Sequence, residues 1–196
     1  MESINSLDQE LFYWIDGLAG KNLWLDRLMV SVVNDYAVPT ILSLVLVFLW
    51  FGVEGHAQRE THQQAILAAI LAVGLVNAVV ALLNFVYFRP RPFASLEVTL
   101  LFYRPSDPSF PSNPAATAFA LASAIWLGNR KVGGALIGLG ALYGFSRIYV
   151  GVCYPLDVVA GGLLGIGGAY LTTRLLPRLE PVPSWVLRLG RRLYLA

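Results

Sequence analysis

Residues 64 to 88 run QAILAAILAVGLVNAVVALLNFVYF, 25 positions without one Asp, Glu, Lys or Arg. As a helix that stretch reaches about 37 Å, enough to cross a hydrocarbon core of about 30 Å. No water reaches the backbone there, so each N–H and C=O must pair within the segment, as a helix allows. Similar apolar blocks occupy Tyr36 to Phe51, Asn113 to Leu127, Val132 to Val152 and Leu156 to Leu175. The 196-residue chain is 57% apolar and only 13% charged, against about 25% charged in soluble domains. The expected fold is all-α, a polytopic membrane helix bundle of about five transmembrane helices plus an N-terminal interfacial amphipathic helix.

That first helix is read from Leu7, Leu11, Phe12, Ile15 and Leu18, which recur at helical spacing with Asp8, Glu10 and Asp16 between them. It is expected to lie in the interface, with Tyr13 and Trp14 as belt residues. Leu23 to Val33 is too short and too charged to span alone, and reads as a second interfacial or re-entrant piece. Residues 1–180 form one membrane domain, and 181–196 a basic amphipathic tail resting on a membrane surface. The single cysteine excludes an intramolecular disulfide. No cleaved signal peptide is legible, and a net charge of +2 is too small to suggest nucleic acid. The Gly/Ala texture of the last three blocks reads as close helix packing.

Basic residues suggest the orientation. Arg59, Arg130, Lys131, Arg174, Arg178, Arg188, Arg191 and Arg192 fall on one side; Lys21, Arg27, Arg89, Arg91, Arg104 and Arg147 fall on the other. The richer side, with the C-terminus, is expected in the cytoplasm.

Three polar islands then share the opposite, outward face: NFVYFRPRPF, RPSDPSFPSNP and SRIYVGVCYPLDVVAG. Ionised groups at membrane depth are costly and mark sites. Arg91 and Arg147 offer forked donors that match phosphate oxygens. Ser112 and Asn113 stand at a helix start, where free N–H groups and the helix dipole favour an anion. Ser146 accompanies Arg147, and Asp157 opens the last block. The competing reading, arginines snorkelling to headgroups and serines capping helices, explains each residue singly but not the set on one face.

The islands resemble, in order, the three motifs of the type 2 phosphatidic acid phosphatase family, related to vanadium haloperoxidases. The pattern is most similar to its bacterial undecaprenyl-pyrophosphate phosphatase branch. Arg91-Pro92, Pro111-Ser112-Asn113, then Ser146-Arg147 and Asp157 match at the family's spacing. The resemblance implies an integral protein of a bacterial inner or plasma membrane that meets phosphorylated lipid headgroups.

Three positions depart from the family pattern. Asn84 stands where the family has a lysine, Pro114 where it has the histidine that protonates the leaving group, and Cys153 where it has the nucleophilic histidine. His56 and His62, the chain's two histidines, lie before the long apolar block and are expected a membrane thickness from the site. Proline suits a first helical turn, so Pro114 removes chemistry and keeps architecture.

The leading expectation is therefore a catalytically degenerate protein that binds a phospholipid or polyprenyl-phosphate headgroup without hydrolysis, for lipid handling or as an accessory subunit of a membrane complex. The alternative is an active lipid phosphate or undecaprenyl pyrophosphate phosphatase with Cys153 as nucleophile. There Arg147 and Arg91 would favour the thiolate, Asp157 would oppose it, and Asp107 or Tyr154 would stand in as acid. A transporter component unrelated to phosphate is disfavoured by the lack of an inverted repeat. No metal-ligand cluster and no cofactor motif is legible.

Overall fold

The computed structural model describes residues 2–52, 56–181, 183–185 and 187–188, with the side chains of 2–5, 56 and 57 left aside. The expected basic tail, 181–196 with Arg191 and Arg192, falls mostly outside the described residues. The elements are all helical: α1 (Glu2–Asp16), α2 (Leu23–Val33), α3 (Ala37–Phe51), α4 (His56–Val86), the short α5 (Pro92–Ser95), α6 (Asn113–Gly128), α7 (Arg130–Tyr149), α8 (Pro155–Leu175) and a closing 3-10 turn, Leu176–Leu179.

The apolar blocks become α3, α4, α6, α7 and α8. Among the described residues, two helical stretches are by themselves long and apolar enough to cross a bilayer: Gln58–Val86 and Pro155–Leu179. The expected interfacial or re-entrant piece, α2, joins α3 across a 55° bend, and the pair together meets the same test. Asn22 starts α2 cleanly, its Oδ1 accepting from the N–H groups of Trp24 and Leu25. The 16-residue α6 falls short on length. It is instead the central helix, packed against α8, α4 and α7.

Small residues set that central packing. Ala115, Ala116, Ala118, Ala120, Ala122 and Ala124 of α6 are all buried. Across from them a Cβ on Gly161 would lie 2.4 Å from the Ser112 carbonyl oxygen, and one on Gly165 would lie 2.4 Å from that of Ala116. Backbone cannot yield there as a flexible side chain can. Gly165→Val is expected to destabilise the protein by about 1–3 kcal/mol, read as a lowered midpoint of thermal unfolding in detergent. Large apolar side chains such as Leu44, Phe48, Ile70, Leu82, Phe85 and Leu163 are exposed, a surface suited to lipid rather than water.

Helix α1 keeps an exposed apolar side in Leu7, Leu11 and Trp14, but its acids are not on a solvated face: Asp8 and Asp16 are buried beside Phe12 and Ile15. The reason is hydrogen bonding. Asp8 accepts from the Leu156 N–H at 2.9 Å and from Arg89 Nη2 at 2.6 Å. Asp16 accepts from the Thr99 N–H through both oxygens. The helix is thus docked by its acids onto the end of the bundle that carries the polar islands. Asp8→Asn, which keeps the shape and loses the charge, is expected to cost about 1.5–3 kcal/mol, measurable in the same unfolding assay.

Candidate functional site

The connections after α4, before α6 and between α7 and α8 meet at one end of the bundle. Gly151, at φ +83°, turns the chain out of α7 in a conformation that suits glycine. That turn delivers Cys153 and Asp157. The Ser112 N–H donates to the Asp157 carbonyl at 3.0 Å, tying the start of α6 to the start of α8. Arg91 Nη1 donates to the Val152 carbonyl at 2.7 Å and to Cys153 Sγ at 3.4 Å, tying the first island to the third. All three islands therefore come together, as their order along antiparallel helices requires.

The arginines differ in what remains free. Arg91 is 5% exposed, and its donors are taken by the protein: Nε by the Asp107 carbonyl, Nη2 by the Asp107 carboxylate at 2.9 Å, and Nη1 as above. Arg89, which the motifs do not single out, is the centre of a buried ion network. It donates to Asp157 Oδ1 at 2.5 Å and to Asp8 Oδ2 at 2.6 Å, with the Tyr154 ring 4.2 Å from its guanidinium carbon. Burial disfavours the Arg89 charge, but Asp157 and Asp8 outweigh it and hold this guanidinium above the ordinary arginine range. Asp157 also accepts from Ser109 Oγ and from the Tyr154 N–H.

Arg147 is the exception. It is 3% exposed, yet its Nε and Nη1 have no hydrogen-bond partner. It lies beside Cys153 and Tyr143, with Asp35 Oδ1 at 3.7 Å. Ser112 sits at the N-cap of α6, but its hydroxyl makes no capping bond and is buried without a partner. Asn113 Oδ1 and Asn84 Oδ1 are unpartnered as well. Buried polar atoms are normally satisfied within the protein or by what binds it; unpartnered ones also occur toward the far end of the bundle, on Arg59, His62 and Gln63. Ser146, in contrast, uses its hydroxyl on the Tyr143 carbonyl at 2.7 Å. Cys153 is 1% exposed and Pro114 stands at the first turn of α6, on the wall of a cavity of about 330 Å³.

Asp35, on the α2–α3 connection, is a functional candidate that motif reasoning missed. It lines the same cavity as Pro114, Asn113 and Tyr143. Its Oδ2 accepts from Tyr103 at 2.6 Å. That bond, with some desolvation, raises the Tyr103 phenol above its ordinary range. No sequence spacing links Asp35 to Arg147; the only signal was a charged residue between two apolar blocks.

The histidines are remote. His62 faces Asn129 at the far end of α6, its Nε2 3.3 Å from the Asn129 amide, and α6 alone is about 24 Å long. The backbone at His56 precedes it on α4. Among the described residues no three His, Cys, Asp or Glu side chains group to hold a metal.

Comparison with known proteins fits this arrangement. A family model described as the PAP2 superfamily matches residues 65–181. Undecaprenyl-diphosphatase BcrC of Bacillus subtilis (strain 168) is 36% identical over 184 residues, 93% of this chain and 91% of that protein. The crystal structure of Aquifex aeolicus LpxE superposes with a TM-score of 0.67 at 29% identity, covering 86% of this chain and 95% of that one. The PAP2-type phosphatidylglycerolphosphate phosphatase from Bacillus subtilis gives a TM-score of 0.66 at 18% identity, over 92% of this chain and 90% of its own, and supports the fold.

Proposed function

The chain belongs to the PAP2 superfamily, and on that premise we propose that it binds the phosphate of a membrane lipid headgroup without hydrolysing it. Its relatives include an undecaprenyl-diphosphatase, so lipid phosphates are the natural ligand class. The observation that carries the reading is the buried Arg147 fork with unpartnered Nε and Nη1, accompanied by the unpartnered Ser112 hydroxyl. Phosphate oxygens satisfy both, and the first turn of α6 adds backbone donors and the positive end of its dipole. Arg91, Arg89 and Ser146 act as the frame that holds this clamp in place. The site faces outward, with the C-terminus in the cytoplasm.

Hydrolysis fails for want of parts. Pro114 has no proton to give a leaving group. Asp157 is engaged by Arg89, Ser109 and the Tyr154 N–H, and Cys153 offers it no imidazole to orient. The second reading, turnover through Cys153, is favoured by one observation: its sulfur lies 3.4 Å from Arg91 Nη1, and a nearby cation stabilises a thiolate. The two separate in one assay. Purified protein in detergent is mixed with farnesyl diphosphate or phosphatidic acid, and phosphate release is followed beside Cys153→Ser. The proposal expects equal, background release from both; release that disappears in Cys153→Ser establishes the second reading instead.

A further inference from the structure

Helices α7 and α8 press together at the end that carries the polar islands: a Cβ on Gly144 would lie 2.6 Å from Val158 Cγ1. Toward the opposite end a cavity of about 220 Å³ opens between them. Ser123, Trp126 and Leu127 of α6, Ile137 of α7, and Ile166 and Tyr170 of α8 line it.

Two of the lining rings carry an arginine. The Arg130 guanidinium carbon lies 5.6 Å from the Trp126 ring centre, and that of Arg174 lies 4.8 Å from the Tyr170 ring centre. Contact with a ring face holds a guanidinium without consuming its N–H donors. Both arginines are exposed, and among the described residues no carboxylate pairs with either. Apart from Asp157 at the far end, α6, α7 and α8 contain no Asp or Glu. Lys131 and Arg178 add positive charge at the same end.

An apolar slot with a positive mouth and no counter-charge fits an anionic amphiphile. Arg130 stands seven residues from Ile137, and Arg174 eight from Ile166. The slot therefore reaches about 10–12 Å below the arginines, deep enough for the first part of an acyl chain. Basic groups beside a crevice between membrane helices attract anionic headgroups.

We propose that this crevice is a second lipid site. One acyl chain of an anionic phospholipid lies against Ile137 and Ile166, and its phosphate sits between Arg130 and Arg174. The site is separate from the polar islands and faces the other leaflet. Its arginines are exposed and screened by salt, so it fills when lipid is in excess. A bound chain braces α7 against α8 where a gap separates them.

The test titrates the full chain in detergent with excess phosphatidylglycerol or phosphatidylcholine and counts adducts by native mass spectrometry. Every titration is run with and without Arg147→Ala, so that lipid held at the polar islands is counted apart. Phosphatidylglycerol is expected to bind in both backgrounds and to raise the unfolding midpoint, with phosphatidylcholine about tenfold weaker. Inorganic phosphate, which lacks the chain, is not expected to displace it. Arg130→Gln with Arg174→Gln is expected to weaken binding roughly 30-fold, the worth of two interfacial basic groups. Lys131→Gln with Arg178→Gln removes equal charge and is expected to weaken it less than about threefold. Ile166→Trp keeps the charge, fills the slot and is expected to weaken it about tenfold. Equal losses from the two charge pairs, or binding untouched by Ile166→Trp, reduce the site to a diffuse basic surface and overturn the proposal. Binding that vanishes wholly with Arg147→Ala overturns it too, as does displacement by inorganic phosphate or a dimer in place of a lipid adduct.

Discussion

Arg147→Ala is expected to weaken binding of lipid phosphates by about 2–5 kcal/mol, a loss of roughly 30-fold to several thousand-fold. The size follows from burial. Arg147 is 3% exposed, so a phosphate on its fork is shielded from water and the charge-assisted bonds act at close to full strength. Within the protein Nε and Nη1 make no hydrogen bond, and Nη1 pairs with Asp35 Oδ1 only at 3.7 Å. Arg147→Lys is expected to recover only a minor part of the affinity, since a point charge does not reproduce two parallel donors. Titration of wild type and both variants with phosphatidic acid checks this, with the unfolding midpoint as control. Binding loss without a comparable drop in midpoint separates a ligand role from a structural one.

The second large effect is a gain. The triple variant Asn84→Lys, Pro114→His, Cys153→His is expected to release phosphate from phosphatidic acid or farnesyl diphosphate well above the wild-type level. The increase is roughly 10²–10⁴-fold over background, the range that positioned proton transfer supplies. The scaffold is ready for it. Asp157 carries three hydrogen bonds, from Arg89, Ser109 and the Tyr154 N–H. A carboxylate accepts about four, so one acceptor position remains to orient an imidazole at 153. Adding Asp157→Asn to the triple variant is expected to abolish the gained activity. A triple variant that folds, binds lipid and releases nothing would place the block elsewhere than in the missing histidines.

Much of this was legible in sequence because membrane burial writes coarse patterns. The uncharged run 64–88 and the glycines and alanines of α6 and α8 announce buried helices and close contacts. The islands announced themselves by charge among apolar blocks. What stayed hidden was pairing. Asp8 read as the polar face of an interfacial helix; it is in fact buried against Arg89, 81 positions away. Arg91 read as a free fork, but Asp107 and the Val152 carbonyl occupy its donors. Asp35 carried no motif at all. Sequence shows which residues can ionise; only the fold shows which of those charges neutralise one another, and Arg147 stands out only after that cancellation.

Intact-protein mass spectrometry offers the most direct check on binding without turnover. Wild-type protein is mixed with a stoichiometric amount of phosphatidic acid, quenched in acid, and weighed, while the lipid is recovered and analysed. The account predicts an unmodified chain and intact phosphatidic acid, with the lipid retained under native conditions by wild type and lost by Arg147→Ala. A phosphoryl adduct on Cys153, or lipid converted to diacylglycerol in a Cys153-dependent manner, would contradict it.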